Sequence, residues 1–315
     1  MIEKLGAGVQ PKADIFGLVH PMYSLTLGDY EEYGYKHTDK KTGNVTEIVI
    51  TPSADFGRAT IDDRDLLIYV MTLVKVRYDK ESYEENSREP KPISFEAHDF
   101  FKYIDAKGTK RFEMLELTLK RLKDTKYTIN TCVEGEVISC STQPFTLLSQ
   151  ADFNNKRSGQ GSRNNTTVTI TLNEWLHKAI ITSQLLQLHP DYFKLRPFEK
   201  RTYELARKFC GSQGTVLMGL DKMVAYFGSK QPKRHIKAEL KIIATRQPLP
   251  EYDIKLESGK NNSTNIRFMR PRNKKSLIYE TMPVKENIVP ATENGQEICY
   301  EDLFVDDDPW EALDK

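Results

Sequence analysis

The sequence lacks the residue patterns of the common metal sites. Its 315 residues include four cysteines, which form no C-x-x-C pair, and six histidines, which never occur as H-x-H or H-E-x-x-H. The absence of these histidine patterns excludes the usual metal site of a rolling-circle nicking enzyme. We therefore expect no metal.

Glycine-rich phosphate loops are missing as well. Gly228-Ser229-Lys230 and Gly259-Lys260 have neither the preceding spaced glycine nor the following Ser or Thr of a Walker A loop. Gly159 and Gly161 are followed by Asn164, where a dinucleotide-binding motif needs its third glycine. The sequence thus predicts no cofactor and no catalytic residues, and an enzyme such as a primase or nickase ranks third among the functions considered.

No apolar run is long enough for a membrane span. The longest, residues 66–76, lies between Arg64 and Arg77 and is far shorter than the roughly 20 residues that cross a bilayer. Residues 1–10 carry Glu3 and Lys4 and have no apolar core of a signal peptide. With cysteines typical of a reducing compartment, these features predict a cytoplasmic protein without a membrane partner.

Charge is distributed very unevenly along the chain. The net charge is only +1, yet residues 194–275 contain 20 Lys and Arg against 7 Asp and Glu, whereas residues 276–315 contain 2 against 11. Basic charge concentrated in one segment favours a polyanionic partner such as double-stranded DNA. The acidic segment is typical of a disordered tail.

The basic segment has the pattern of a helix, a turn, a second helix and a hairpin. A helix is predicted from Pro197 to the stop at Gly211, an apolar segment from 216 to 227, and a further helix over about residues 231–246. Strict alternation over 252–257 and again over 266–268 surrounds a polar tip at 258–265. This order is typical of a winged-helix DNA-binding domain.

The helix at 231–246 has a basic outer side. Ile236, Leu240 and Ile243 share its inner face, and a spacing of 100° per residue puts Arg234, Ala238, Lys241 and Thr245 opposite them. Arg and Gln near the start of such a helix can reach base edges, and Lys suits phosphates, although a merely solvated face is the alternative. The predicted DNA-binding residues are Lys230, Gln231, Lys233, Arg234, Lys237 and Lys241 on this segment and Lys260, Arg267, Arg270 and Arg272 on the hairpin.

The first half repeats this plan. Helices are predicted over residues 66–77, 98–104 and 109–123, followed by strands at 126–131 and 136–148 that would form a second wing. The outer face of the last helix mixes signs, which favours a protein contact or a solvated face over DNA; its charged residues are Lys110, Arg111, Glu113, Glu116, Lys120 and Arg121. Asp62, Asp63 and Asp65 lie at the start of the helix over 66–77, where we expect their negative charge to interact favourably with the helix dipole.

The predicted fold class is α+β, with two winged-helix domains in tandem and a disordered acidic C-terminal tail. The domains are expected at residues 1–183 and 184–275, and the tail at 276–315. The first domain would include a polar mobile loop at 154–166 and a connecting helix before residue 183.

Four segments carry a family resemblance: HPMYSL at 20–25, VITPSADFGRATIDDRDLLIY at 49–69, DYFKLRPFEKRTYELARKFCG at 191–211 and PLPEY at 248–252. Together they resemble the plasmid replication initiator protein A family. The resemblance implies a tandem winged-helix initiator that binds repeated sites, or iterons, at an origin, promotes opening of an adjacent A·T-rich region and recruits host replication proteins. Similarity to related initiators implies a homodimer that represses. The alternative is a winged-helix transcriptional repressor without an initiation role.

The tail contains one segment with a separate resemblance. Residues 300–304 (YEDLF) are similar to the pentapeptide by which bacterial replication proteins dock on the sliding clamp, with Tyr300 where Gln is usual. Leu303, Phe304 and Trp310 are the predicted partner-binding residues, and the partner would be a host helicase or sliding clamp. The alternative is a solubilising acidic end.

Overall fold

The computed structural model describes residues 2–38, 43–80, 89–133, 136–140, 143–156, 165–211, 214–259 and 263–271. The helices are α1 (Ile15–Val19), α2 (Arg64–Lys80), α3 (Ala97–Tyr103), α4 (Arg111–Asp124), α5 (Glu174–Ile181), a 3₁₀ helix (Pro190–Lys194), α6 (Pro197–Cys210), α7 (Leu220–Phe227) and α8 (Lys233–Arg246). The strands are β1 (Ile2–Glu3), β2 (Lys12–Asp14), β3 (Tyr33–Thr38), β4 (Val45–Thr51), β5 (Ile93–Glu96), β6 (Lys126–Val133), β7 (Glu136–Cys140), β8 (Leu148–Lys156), β9 (Asn165–Leu172), β10 (Leu185–Gln187), β11 (Thr215–Gly219), β12 (Asp253–Ser258) and β13 (Thr264–Met269). The chain is therefore mixed α and β, as the sequence predicts.

One order of elements occurs twice. The first copy runs α2, β5, α3, α4, β8, β9, and the second runs α6, β11, α7, α8, β12, β13. In each copy the first strand pairs antiparallel with the last, which in turn pairs with the strand before it, giving the orders β5-β9-β8 and β11-β13-β12. The two copies thus share their connectivity as well as their sequence of elements.

The first copy differs from the sequence prediction in its hairpin. The strands expected at 126–131 and 136–148 are not the wing, because β6 and β7 join β3 and β4 in a separate sheet of order β3-β4-β6-β7. β6 pairs with β4 along the whole of β4, from Val45 opposite Cys132 to Thr51 opposite Lys126. The hairpin of the first copy is formed instead by β8 and β9.

The sequence predicts a loop over residues 154–166, but the strands on either side extend into this segment. Strand pairing continues to Lys156 opposite Asn165, so both ends of the segment belong to β8 and β9. Residues 157–164 lie outside the described residues, as does the acidic tail at 276–315.

The core explains the position of the helices. The central stretch of α2, from Leu66 to Val74, is almost entirely apolar and buried on all sides, which is typical of a central helix. In the second copy, α8 packs on the sheet β11-β13-β12 through side chains with no exposed surface, each contributing about 1.5 to 3 kcal/mol by its burial: Ile236, Leu240, Ile243, Ile254, Ile266 and Phe268.

The segment between the two copies pairs with the start of the chain. β10, which follows the connecting helix α5, pairs antiparallel with β2 near the start of the chain.

Within the part of the chain that the structure describes, no helix combines the length and the apolar character that a bilayer crossing requires.

Candidate nucleic-acid interface

Helix α8 divides sharply into a buried and an exposed side. Arg234, Ala238, Lys241 and Thr245 are exposed, and we call these four residues the outer stripe. Ile236, Leu240 and Ile243 lie on the opposite side and are fully buried. The angular prediction for this helix is therefore confirmed, although the ligand of the stripe is a separate question.

The end of α8 is fixed to the hairpin. Gln247 caps the helix in a left-handed conformation, with φ of 49°. Its side-chain amide donates to the carbonyl of Ile254 at 2.7 Å and its oxygen accepts from the Ile254 amide at 2.9 Å. The outer stripe is consequently held in one orientation relative to β12 and β13.

Two of the predicted DNA-binding lysines form ion pairs near the start of α8. Lys230 donates to Glu31 at 2.6 Å, and its ammonium lies 3.8 Å from the carboxylate of Asp29. Lys233 pairs with Asp221. A phosphate would have to displace these carboxylates to bind either lysine.

The remaining predicted residues of α8 are placed differently from one another. Lys237 is half-buried and donates to the hydroxyl of Thr264 at 2.7 Å, beside the tip of the hairpin β12–β13. Gln231 is half-buried, and its backbone N–H donates to the Ser229 hydroxyl at 3.1 Å. Among the described residues, no carboxylate pairs with Arg234, whose exposed guanidinium is the most available donor of the stripe.

The hairpin residues do not continue the outer stripe. Arg267 lies opposite Lys255 on the face of the sheet that points away from the helices, because its neighbours Ile266 and Phe268 point into the core. Its guanidinium binds both oxygens of Glu257, at 2.7 and 2.9 Å, and this hydrogen bonding lowers the pKa of the Glu257 carboxyl.

The other hairpin residues complete this picture. Arg270 lies 3.6 Å from the carboxylate of Glu251 and is largely buried. Lys260 and Arg272 lie outside the described residues. The structure thus brings Arg234, Lys237 and Lys241 together and places Arg267 on another face.

Helix α4 holds the equivalent position in the first copy, and one residue there departs from the prediction. Arg121 is not on the outer face; its side chain is 7% exposed and binds Asp63 through two hydrogen bonds of 2.7 and 2.6 Å. Asp63 also accepts from the hydroxyl of Thr118 at 2.6 Å. The carboxylate assigned to a helix dipole is therefore the centre of a buried polar cluster.

Sequence reasoning did not single out the exposed residues His235, Ile242 and Arg246 of α8. Ile242 is 43% exposed, and His235 is exposed on the same flank of the outer stripe. A helical wheel would have found Ile242, because it is an apolar residue about 100° away from the buried side. An exposed isoleucine next to Lys241 could contact a thymine methyl group.

The described residues contain no group of three or more His, Cys, Asp or Glu side chains arranged to hold a metal ion. The exposed side of α8 instead offers guanidinium and ammonium donors, which suit phosphates and the acceptor atoms of base edges.

Comparison with known proteins gives matches at the levels of family, sequence and fold. The chain matches the family "Replication initiator protein A" over residues 13–254. A protein of Wigglesworthia glossinidia brevipalpis named "Putative replication protein" is 32% identical over 246 residues, which covers 77% of this chain and 83% of that protein.

Two crystal structures of domains 2 and 3 of RctB have a similar fold. One superposes with a TM-score of 0.58 at 12% identity, covering 82% of this chain and 98% of the other. The second superposes with a TM-score of 0.54 at 13% identity, covering 82% and 96%. At these identities the likeness concerns the fold alone.

Proposed function

Since this chain belongs to the replication initiator protein A family, we propose that it initiates plasmid replication by binding repeated sites in double-stranded DNA at an origin. The observation that carries the DNA-binding step is the exposed, basic outer stripe of α8, held on a buried apolar face. Plasmid DNA lies in the cytoplasm, and the protein would act there.

We assign each copy of the repeated element order to a winged-helix domain. In the second domain α8 would enter the major groove, which is about 12 Å wide and admits a helix. Arg234 would read a base edge, Lys237 and Lys241 would contact phosphates, and the tip of β12–β13 with Lys260 would reach the adjacent backbone. Lys230 and Lys233 would exchange their carboxylate partners for phosphates.

Opening of the duplex would draw on binding energy. The sequence holds no P-loop for ATP, so strand separation would follow from deformation of the bound DNA. Pyrimidine–purine and A·T-rich steps deform at the lowest cost, and an A·T-rich segment beside the bound repeats is where opening should begin.

A footprint on the DNA that flanks the gene tests the proposal. The full-length protein should protect a series of direct repeats, and permanganate should then detect unpaired thymines in an adjacent A·T-rich segment. Protection of a single site without unpaired thymines would instead support a transcriptional repressor. No protection at any flanking site would contradict DNA-based initiation at this locus.

The acidic tail is proposed to recruit a host replication protein. Leu303, Phe304 and Trp310, which lie outside the described residues, would anchor residues 300–310 in an apolar pocket of the sliding clamp or the helicase. Immobilised peptide 290–315 should retain purified clamp, and the Leu303→Ala, Phe304→Ala peptide should not. Equal retention by the two peptides would refute this role of the tail.

A further inference from the structure

The outer stripe of α8 is a basic surface that lacks a carboxylate partner within the part of the chain that the structure describes. Arg234 and Lys241 are both exposed, and neither forms an ion pair with a described residue. The one acidic residue of α8, Glu239, lies more than 90° around the helix from the stripe. The stripe therefore presents an unneutralised positive face.

The basic side chains before and at the start of α8 are, in contrast, already held by carboxylates of the same chain. Lys230 donates to Glu31 at 2.6 Å, and Lys233 pairs with Asp221 of α7. These carboxylates occupy the places that phosphates would take. The chain thus neutralises one end of its candidate DNA-binding surface by itself and leaves the stripe uncovered by any described residue.

The end of the chain contains a dense set of carboxylates. Residues 301–315 hold seven Asp and Glu against one Lys, with three consecutive Asp at 306–308, and they lie outside the described residues. A carboxylate accepts charge-assisted hydrogen bonds from guanidinium and ammonium groups as a phosphate does, and Arg can bind either group bidentately. We call residues 301–314 the acidic segment; it matches the outer stripe in charge and in hydrogen-bonding chemistry.

The point at which the chain leaves the described structure puts the acidic segment within reach of α8. Met269, the last residue of β13, lies opposite Asp253 at the start of β12. The next residue, Ile254, is hydrogen-bonded to Gln247 at the end of α8. About 35 residues lead from there to the run of Asp, and such a length can extend over roughly 100 Å, whereas α8 is only about 21 Å long.

We propose that the acidic segment binds the outer stripe of α8 in the same chain and so competes with DNA for it. Because the two are tethered, the segment has an effective concentration at α8 that can reach the millimolar range, which offsets the weakness of individual exposed ion pairs. The competition weakens specific and non-specific DNA binding by the same factor, since both use the stripe. The masking of DNA rests on the proposed function, whereas the docking of the segment does not.

Two full-length variants remove the same amount of charge from different places. The tail variant carries three substitutions and leaves the predicted partner-binding residues unchanged: Asp306→Asn, Asp307→Asn and Asp308→Asn. The control variant neutralises three exposed carboxylates of the N-terminal half: Asp55→Asn, Glu89→Gln and Glu113→Gln. The comparison separates an effect of the acidic segment from an effect of net charge on association with DNA.

The first measurement is the affinity of each protein for the footprinted repeats and for a duplex of arbitrary sequence. At about 50 mM salt the tail variant should bind both duplexes at least about threefold more tightly than wild type, and the control variant should gain clearly less. The advantage of the tail variant should shrink toward about 200 mM salt, because screening weakens the docking that it abolishes. Equal gains for the two variants, or no gain for the tail variant, would overturn the proposal.

The second measurement needs no DNA. A zero-length carbodiimide joins carboxylates to lysine ammonium groups that they contact, and crosslinks from the acidic segment of wild type should reach Lys241 but not the exposed Lys123 of α4. A mixture of ¹⁵N-labelled and unlabelled protein should give crosslinks within single chains. The exposed Arg234 is changed to Gln in a further variant, Arg234→Gln, which keeps every amine and should lower the yield at Lys241.

The crosslinking outcomes decide the docking whether or not the protein binds DNA. Absence of a crosslink at Lys241, equal yields at Lys241 and Lys123, or crosslinks only between chains would overturn the proposal. An unchanged yield in Arg234→Gln would also overturn it, because the segment would then not recognise the stripe. A protein that binds no duplex but forms the Lys241 crosslink would contradict the proposed function and leave the docking of the acidic segment intact.

Discussion

Helices α4 and α8 occupy the same place in the two copies of the repeated fold, yet they present different surfaces. α8 contains five basic residues and one acidic residue, whereas α4 contains four basic and three acidic residues. On α4 the half-buried Lys120 pairs with Glu116 at 2.8 Å, and Arg121 is buried against Asp63. On α8 Arg234 and Lys241 are exposed.

Under the proposed function, one scaffold would use its third helix in two ways. Opposite charges a few ångströms apart cancel over distances beyond the Debye length of about 8 Å, so the mixed face of α4 presents little field to a polyanion. The outer stripe of α8 has no acidic member and retains its field. In α4 the buried Arg121 instead holds the helix to Asp63.

The largest expected effect concerns Arg121 on α4. Arg121→Ala should lower the free energy of unfolding by about 3 to 5 kcal/mol, because it leaves the buried Asp63 without its cation. Denaturant unfolding measures this loss, and Lys123→Ala on the exposed side of the same helix should change it by less than about 0.5 kcal/mol. If Arg121→Ala lowered the free energy of unfolding no more than Lys123→Ala does, the Arg121–Asp63 pair would not stabilise the fold.

The corresponding change on α8 should affect binding and not folding. Arg234→Ala should weaken binding to the specific site by about 1 to 3 kcal/mol and relax the preference at one base position, because a bidentate contact to a base edge is lost. Competition binding with a set of single-base variants measures both quantities, and the unfolding free energy should stay within about 0.5 kcal/mol. Unchanged affinity and preference would make the outer stripe a solvated face.

The sequence predicts those parts of this contrast that depend on residues close together in the chain. The sides of α8 follow from the 3.6-residue period, so the buried Ile236, Leu240 and Ile243 and the exposed Arg234 could be derived without a structure. The burial of Arg121 could not, because its partner Asp63 is 58 residues away.

The same reason explains the features that the sequence did not reveal. Lys200 meets Asp62 and Asp65 across separations of 138 and 135 residues, and no periodicity encodes that pairing. Likewise, β6 belongs to the sheet of β3 and β4 because it pairs with β4. Alternation of apolar and polar residues predicts a strand but not its partner, so it could not locate the hairpin of the first copy. Three segments that carry the family resemblance meet around Arg64, which pairs with Glu204 and lies over the ring of Tyr23. Their spacing along the chain does not show this.

An effect of about 4 kcal/mol is expected from pH at the contact between the copies, since each unit of pKa shift corresponds to about 1.4 kcal/mol. Burial, with Asp62 and Asp63 nearby, raises the pKa of Asp65 from 3.8 to about 7, although Lys200 opposes the shift. The folded state therefore holds this proton more tightly than the unfolded state. Its contribution to stability is present below the unfolded pKa and is lost as pH rises through about 7.

The variant Asp65→Asn isolates that contribution. The difference in unfolding free energy between wild type and Asp65→Asn should fall as pH rises from about 4 to 8, because asparagine does not titrate. Denaturant unfolding at several pH values gives the difference directly, and shifts common to both proteins, such as that of the buried His20, cancel. A difference that grows with pH would mean that Lys200 keeps Asp65 ionised in the folded state.

The smallest expected effect compares one lysine from each helix. Lys241→Ala should reduce the slope of log affinity against log salt by about 0.9, since one phosphate contact and its released counterion are lost, and it should weaken all DNA sequences alike. Lys120→Ala should leave the slope unchanged, because Lys120 is already paired with Glu116 at 2.8 Å. Titrations between about 50 and 200 mM salt resolve a difference of this size. Equal reductions for the two variants would show that the first copy also contacts phosphates, and the mixed charge of α4 would then not keep it from DNA.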